Sequence, residues 1–421
     1  MPVIPPFIIS ILRRLIDNGC SAYLVGGCVR DIYLNRTPHD WDIATSASTS
    51  IVEAFFEKTY MTGERFGTVT VALGDGRAEV TTFRTDGVYR DGRHPETVEY
   101  TADIVSDLSR RDFTCNAMAL SMTGELIDPF NGLNDINNCI IRCVGNPETR
   151  FSEDALRMLR AFRFSAQLSF EIESSTKAAV LKLAEKIKKI SAERIRDELE
   201  KTLMSPHPEV TDSMIGAGLL ETFIPRTHRI SLNYAASLTV DAVTRWSAFC
   251  VSLLKAGSVG SMSVLLRKLR LDKTTVNICS AAVEILYNGF PMDRIAIKLL
   301  LAKNGKSVVR CAAVVYSAME DTHSLTDKAA DNTASVTSAA SGAEKKVADF
   351  CASAASIVEE IISGGDCFSL DTLAINGRDL LALGHKPGRA VGKTLNCLLE
   401  HVIKNPDDNS RTTLLALALD V

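Results

Sequence analysis

The sequence has no run approaching the ~20 consecutive apolar residues that a membrane-spanning helix needs. Its opening stretch, MPVIPPFIISILRRLIDNG, lacks the basic start, long apolar centre and small-residue cleavage site of a signal peptide. The apolar residues there are interrupted by Pro5 and Pro6 and pass into Arg13, Arg14 and Asp17, an amphipathic helical pattern. Paired cysteines are missing as well. The eleven cysteines are scattered, with no Cys-x-x-Cys and no histidine pair beside Cys139 and Cys143, which argues against zinc sites and disulfide frameworks. They read as thiols packed as small hydrophobes in a reducing compartment. Nor is there an excess of positive charge. A net charge of −4 and a pI near 6.0 exclude a chain that is basic throughout, so any contact with nucleic acid must use local basic strips. No internal repeat is present, and the second half carries no His-Asp metal-hydrolase motif. These absences predict a soluble, cytoplasmic protein with no membrane partner.

What is present is enough for more than one core. At 421 residues and 46% hydrophobic, the chain exceeds the ~250–300 residues at which a single core stops growing, so two or more domains are expected. The first part reads as mixed α/β: a helix from Pro6 to Asn18 stopped by Gly19, strands at Ser21–Val25 and Trp41–Ala44, and a helix at Ser48–Lys58. Strands at Gly67–Leu73 and Ala78–Phe83 are joined by the turn Gly74-Asp75-Gly76. From about Asn146 the pattern becomes helical, with helices predicted at Glu153–Phe164, Ser174–Ile190 and Ala192–Met204. The stretch His323–Gly342, rich in Ser, Thr, Ala, Asp and Asn, reads as a linker before a last helical unit running from about Glu344.

Chemistry first shows in YLVGGCVRDIYLNRTPHDWDIAT, Tyr23–Thr45. Asp40 and Asp42 stand two apart on a predicted strand, so both carboxylates face one side. Carboxylates held that close repel unless a cation lies between them, and hard oxygen donors suit Mg²⁺, which also takes substrate phosphate oxygens. Gly26-Gly27 follows a strand and precedes a helix, freeing backbone N–H groups for phosphate, and Arg30 lies one turn further on. Alone, each feature is a tight turn or a solvated strand end; together they predict a two-metal site for phosphoryl chemistry. Glu79 is the candidate third carboxylate, an exposed strand glutamate being its plain alternative.

SEDALRMLRAFRF, Ser152–Phe164, is the second signal. Ser152 is a helix N-cap by type, and Asp154, Arg157, Arg160 and Arg163 recur every third residue as a charged row. A surface Asp–Arg pair would be worth only a few tenths of a kcal/mol. The same residues also suit a nucleotide. An Asp accepts from an exocyclic amine and an Arg donates to a ring nitrogen or carbonyl, a pattern that accepts cytosine and adenine and rejects uracil and guanine.

GGCVRD…DWD (Gly26–Asp42), RRDFTCNA (Arg110–Ala117), DPFNGLNDI (Asp128–Ile136), EDALRMLRAFRF (Glu153–Phe164) and AERIRDEL (Ala192–Leu199) follow one another in this order. Together they resemble the signature blocks of the class II tRNA nucleotidyltransferases, the bacterial CCA-adding enzymes and their poly(A) polymerase relatives. Leu373–Ile403 is similar to the tail of the bacterial CCA-adding enzymes. The resemblance implies an α+β fold, a polymerase-β-type nucleotidyltransferase head followed by an all-α neck, body and tail. The corresponding boundaries are 1–141 for the head, 142–205 for the neck, 206–325 for the body, and 326–421 for a linker and tRNA-binding tail. It implies Mg²⁺ on Asp40 and Asp42, and nucleotide contacts at Gly27, Arg30, Arg111 and Asp112, the last two near the ribose. Asp154 and Arg157 would read the base edge, Arg160 and Arg163 would assist, and the AERIRDEL helix would support the pocket. The implied reaction is addition of C, C and A from CTP and ATP to the 3′ end of tRNA without a nucleic-acid template. Phe83–Tyr100 looks like the flexible loop of enzymes that add all three nucleotides, and Gly63–Leu73 favours the same reading. Basic strips at Leu265–Lys273, at Lys186–Ile190, and at Lys386, Arg389 and Lys393 are candidates for gripping tRNA. A poly(A) polymerase, a CC-only or A-only enzyme, and a catalytically idle RNA-binding module stay open at this point.

Overall fold

The computed structural model describes residues 3–63, 67–74, 76–87, 97–227, 229–238, 241–257, 261–332 and 353–419. The chain divides into two compact units, 1–227 and 228–421. The first begins with α1 (Pro6–Asp17), whose Ile8, Ile11, Leu12 and Leu15 recur at helical spacing and are all buried. Gly19, at φ +81°, ends it: the N–H of Cys20 reaches back to the carbonyl of Leu15 at 3.0 Å, which a residue with a Cβ would allow only under strain.

A seven-stranded sheet follows, built from β1 (Ala22–Val25), β2 (Asp42–Thr45), β3 (Thr59–Gly63), β4 (Thr68–Leu73) and β5 (Gly76–Thr82), with two later strands. After a small hairpin of β6 (Arg84–Asp86) and β7 (Val98–Tyr100) come those two, β8 (Ala119–Leu120) and β9 (Leu126–Ile127). The order is β3-β4-β5-β2-β1-β8-β9, with β2 and β5 parallel and the other pairs antiparallel. Helices α2 (Gly27–Tyr33), α3 (Thr49–Phe55), α4 (Ile104–Ser109) and α5 (Gly132–Asn137) connect these strands. The short parallel pair β10 (Ile140–Ile141) and β11 (Glu171–Ile172) brackets α6 (Pro147–Glu153) and α7 (Leu156–Leu168). Then come α8 (Ser174–Leu183), α9 (Ala192–Leu203) and α10 (Val210–Gly216). The second unit is helical: α11 (Ala242–Lys255), α12 (Met262–Lys268), α13 (Lys273–Asn288), α14 (Arg294–Asn304), α15 (Lys306–Asn332), α16 (Ala354–Ser363), α17 (Gly377–Ala382), α18 (Arg389–Lys404) and α19 (Arg411–Leu417). Leu380, Leu398, Leu399, Val402 and Leu414 form the core beneath its last helices. The architecture is thus the expected α+β one, a sheet-bearing head followed by helices.

Four local expectations are corrected. The predicted helix Glu153–Phe164 is two helices: Asp154 is extended (φ −139°, ψ 106°), and Ser152, expected as an N-cap, lies inside α6. Asp40 precedes β2 rather than lying on it. The helix from Ser174 tightens to 3₁₀ at Ala184–Lys189. Helix α15 runs on to Asn332, through the start of the expected linker; residues 333–352 of that region lie outside the described residues. So do residues 88–96 of the expected flexible loop. Among the described residues no helix is long and apolar enough to cross a membrane, and no disulfide is present.

Candidate active site

A cleft of about 780 Å³ in the first unit gathers almost every residue that the sequence singled out. Gly27 and Arg30 reach it from the start of α2, Asp40 and Asp42 from the run into β2, and Arg111 and Asp112 from the turn after α4. Asp154 enters from the joint between α6 and α7, and Arg157, Arg160 and Arg163 from α7 itself. Glu79 does not line it. It lies on β5 as the register partner of Asp42 across the parallel pair.

The first wall is built on backbone geometry. Gly26 has φ +77°, and a Cβ there would come within 2.8 Å of Arg111 Nη1 and 3.6 Å of Asp42 Oδ2. Only glycine therefore lets the guanidinium and the carboxylate close over this turn. Burial pushes the Asp42 carboxyl up to about 6; Arg111 pulls it down, while Glu79 and Asp40 push it further up. That balance of like charge and burial favours a cation. Two carboxylates on one wall fit Mg²⁺, which uses one or two such ligands and fills its octahedron with water and phosphate oxygens. Among the described residues no three His, Cys, Asp or Glu side chains are grouped to hold a metal by themselves.

The rest of the lining is tied down by ion pairs. Asp112 is buried and accepts from Arg160 Nε at 2.7 Å and from the N–H of Phe113 at 2.8 Å. Burial alone would raise its carboxyl, but Arg160, with Arg157 and Asn116, outweighs this and holds it at about 2. Asp154, the C-cap of α6, accepts from the N–H of Leu156 at 3.0 Å and takes Arg194 Nη2 of α9 at 2.8 Å. The N–H of Arg157 donates to the backbone carbonyl of Asp154 at 3.1 Å. Its guanidinium pairs with Glu153 and donates to the carbonyl oxygens of Arg150 at 3.2 Å and Arg110 at 3.1 Å. Arg163 lies 3.1 Å from Glu198, and burial lowers its guanidinium to about 10.

Several lining residues were not anticipated: His39, Arg84, Arg110, Asn116, Phe164 and Arg194. Phe164 collects three guanidiniums, with Arg163, Arg30 and Arg160 at 4.2, 5.3 and 5.4 Å from its ring centre. Asp107, fully buried on α4, accepts from both Arg110 and Arg111, at 2.8 and 3.2 Å. Arg110 and Arg194 stand inside the RRDFTCNA and AERIRDEL blocks, so the blocks themselves carried that signal. In all, eight arginines face five aspartates along the cleft. A triphosphate supplies the negative charge that this excess attracts.

The family described as "Poly A polymerase head domain" matches residues 22–142. That described as "Probable RNA and SrmB- binding site of polymerase A" matches residues 169–230. The CCA-adding enzyme of Enterococcus faecalis is 32% identical, the alignment covering 97% of this chain and 94% of that enzyme. The CCA-adding enzyme of Lactobacillus helveticus is 50% identical, over 47% of this chain and 49% of its own length. Among solved structures, the Bacillus stearothermophilus CCA-adding enzyme in complex with CTP is similar at a TM-score of 0.79 and 29% identity. That match covers 99% of this chain and 98% of that one.

Proposed function

The chain belongs to the family of the CCA-adding enzymes, and from that membership we propose that it is a nucleotidyltransferase that adds C, C and A from CTP and ATP to the 3′ end of tRNA without a nucleic-acid template. One observation carries the reading: a single cleft is lined by both the Asp40/Asp42 pair and the Asp154/Arg157 group. A nucleotide lying across it would meet metal ligands at its phosphates and hydrogen-bonding groups at its base.

Asp40 and Asp42 would hold Mg²⁺, with Glu79, the register partner of Asp42 outside the cleft lining, acting on the site through its charge. When bound, Mg²⁺ favours ionisation of the attacking hydroxyl and neutralises charge on the leaving pyrophosphate. Arg30, Arg160, Arg163 and the backbone at Gly27 bind the triphosphate, and Arg111 with Asp112 orients the ribose. Asp154 accepts from the exocyclic amine that cytosine and adenine share, and Arg157 donates to the adjacent ring acceptor. Arg194 fixes the Asp154 carboxylate, so selectivity rests on a fixed acceptor rather than on a paired template base. Residues 142–205 act as the neck that carries this selection, ahead of the body and a tRNA-binding tail.

Isothermal titration with Mg²⁺ and each nucleotide tests the site directly. CTP and ATP bind while UTP and GTP bind at least roughly tenfold more weakly, a difference of about 1.4 kcal/mol. Equal binding of all four, or of none, contradicts the proposal.

A further inference from the structure

Arg111 lies near two carboxylates. A Cβ placed on Gly26 would meet its Nη1 at 2.8 Å and Asp42 Oδ2 at 3.6 Å, so guanidinium and carboxylate approach the same point over the turn. Yet, among the described residues, the ion-pair partner of Arg111 is not Asp42 but Asp107. Asp107 stands four residues earlier, and its Oδ2 accepts from Arg111 Nη2 at 3.2 Å. Arg111 Nε is buried without a hydrogen-bond partner, so that one carboxylate oxygen is what holds the guanidinium.

The two oxygens of Asp107 take different partners. Oδ1 accepts from the Arg84 N–H at 3.3 Å and from Arg110 Nε and Nη2 at 3.1 and 2.8 Å. Oδ2 is left to Arg111. With its side chain 1% exposed, Asp107 has no water to replace a lost partner. An asparagine there would turn its one oxygen toward the three donors on the Oδ1 side. Its NH2 would then face the Arg111 guanidinium, donor against donor. Released from Asp107, that guanidinium has Asp42 as the neighbouring carboxylate, and a cation paired there neutralises a metal ligand and repels a divalent ion. A site that uses a guanidinium and a metal carboxylate side by side needs a second acceptor, because the two would otherwise satisfy each other. We propose that Asp107 is a positioning residue that holds Arg111 off Asp42 and so keeps that carboxylate free for the divalent cation, an inference that rests on the metal assignment above.

The test measures binding of Mn²⁺, which takes the same hard oxygen ligands as Mg²⁺, to the full chain without nucleotide or tRNA. Loss of the free-ion electron paramagnetic resonance signal reads it, and circular dichroism checks each variant's fold. Asp107→Asn is expected to weaken binding roughly tenfold, the effect of a new charged hydrogen bond on the ligand. In Asp107→Asn/Arg111→Gln the competing guanidinium is gone, and affinity is expected to return to that of the parent. A loss caused only by loosened packing around α4 would not be repaired by a second change beside it. Arg111→Gln alone, at a side chain 18% exposed, probes the same point even if Asp107→Asn does not fold. With Arg111 held off Asp42, its removal changes Mn²⁺ affinity little; had it already been paired there, removal would tighten binding roughly tenfold. Parent-like affinity in folded Asp107→Asn, an unrepaired loss in the double variant, or tenfold tighter binding in Arg111→Gln each overturn the proposal. A parent that binds Mn²⁺ no better than Asp42→Asn defeats the metal assignment, and this inference with it.

Discussion

Arg194 of α9 holds Asp154 at 2.8 Å, forty residues away in sequence, at the joint where α6 stops and α7 begins. The carboxylate is thereby fixed from two sides, by the guanidinium and by the N–H of Leu156. Arg194→Ala frees it to rotate. The expected result is a roughly tenfold loss of discrimination between CTP and UTP, measured as the ratio of kcat/KM values, since a charged hydrogen bond contributes about 1.5–3 kcal/mol. Unaltered discrimination would show that the pair only fastens two helices.

Arg157 makes a different kind of contribution. It is anchored to Glu153 and to two backbone carbonyls, so its position is set before any ligand arrives. Arg157→Ala is expected to loosen base choice more than it weakens triphosphate binding. Competition assays with UTP and GTP against CTP read this, and unchanged selectivity refutes it.

The two groups of the site were legible in the sequence to different degrees. Asp40, Asp42, Gly27 and Arg30 fall within one short stretch, residues 27–42, and the strand–turn–helix pattern there brings them to one place. The break at Asp154 was not legible. Ser152, Glu153 and Asp154 suit a first helical turn as well as they suit a joint, and what decides is the tether to Arg194, a tertiary contact that local propensity does not contain. Phe164 was hidden for a similar reason. Its place at the end of EDALRMLRAFRF names no partner, and its role as a platform for Arg30, Arg160 and Arg163 depends on the Arg30 guanidinium reaching its ring from α2. Residues Thr59–Gly63, which extend the sheet as β3, carry no strong alternation and are recruited by pairing with β4.

Asp42 gives a pH prediction. Its folded-state carboxyl is raised to about 6, so the metal-free protein is most stable with it protonated and loses that contribution as pH rises through about 6. Mg²⁺ competes with the proton for the same oxygens. The increase in Tm on adding Mg²⁺ is therefore expected to be small at pH 5 and to grow above pH 6. In Asp42→Asn this dependence should vanish. A Mg²⁺ effect of equal size at both pH values would argue against metal binding at this carboxylate.

Asp112 predicts the opposite sign. With its carboxyl held at about 2, its stabilising contribution is complete above pH 4 and is lost as pH falls from about 4 to 2. Thermal unfolding of Asp112→Asn should show a lower Tm at pH 7 and a shallower decline across that acidic window than the parent protein. A parallel decline in the two proteins would mean that the pairing with Arg160 contributes little.

Gly26→Ala should disturb the site without touching its chemistry. The added Cβ meets Arg111 Nη1 at 2.8 Å on a backbone of φ +77°, at a conformational cost of roughly 1–2 kcal/mol. Turnover should fall with Arg111 displaced, while circular dichroism shows the fold retained. Full activity in this variant would mean that Arg111 and Asp42 need not close over the turn.

The decisive experiment gives the purified protein tRNA transcripts that end before CCA, with labelled CTP, ATP or both. Two additions are expected with CTP alone, and a third, terminal one when ATP is also present. Asp42→Ala should bind the same tRNA and add nothing. A stop at two cytidines regardless of ATP, long tails from ATP alone, or no incorporation at all would each contradict the proposed function.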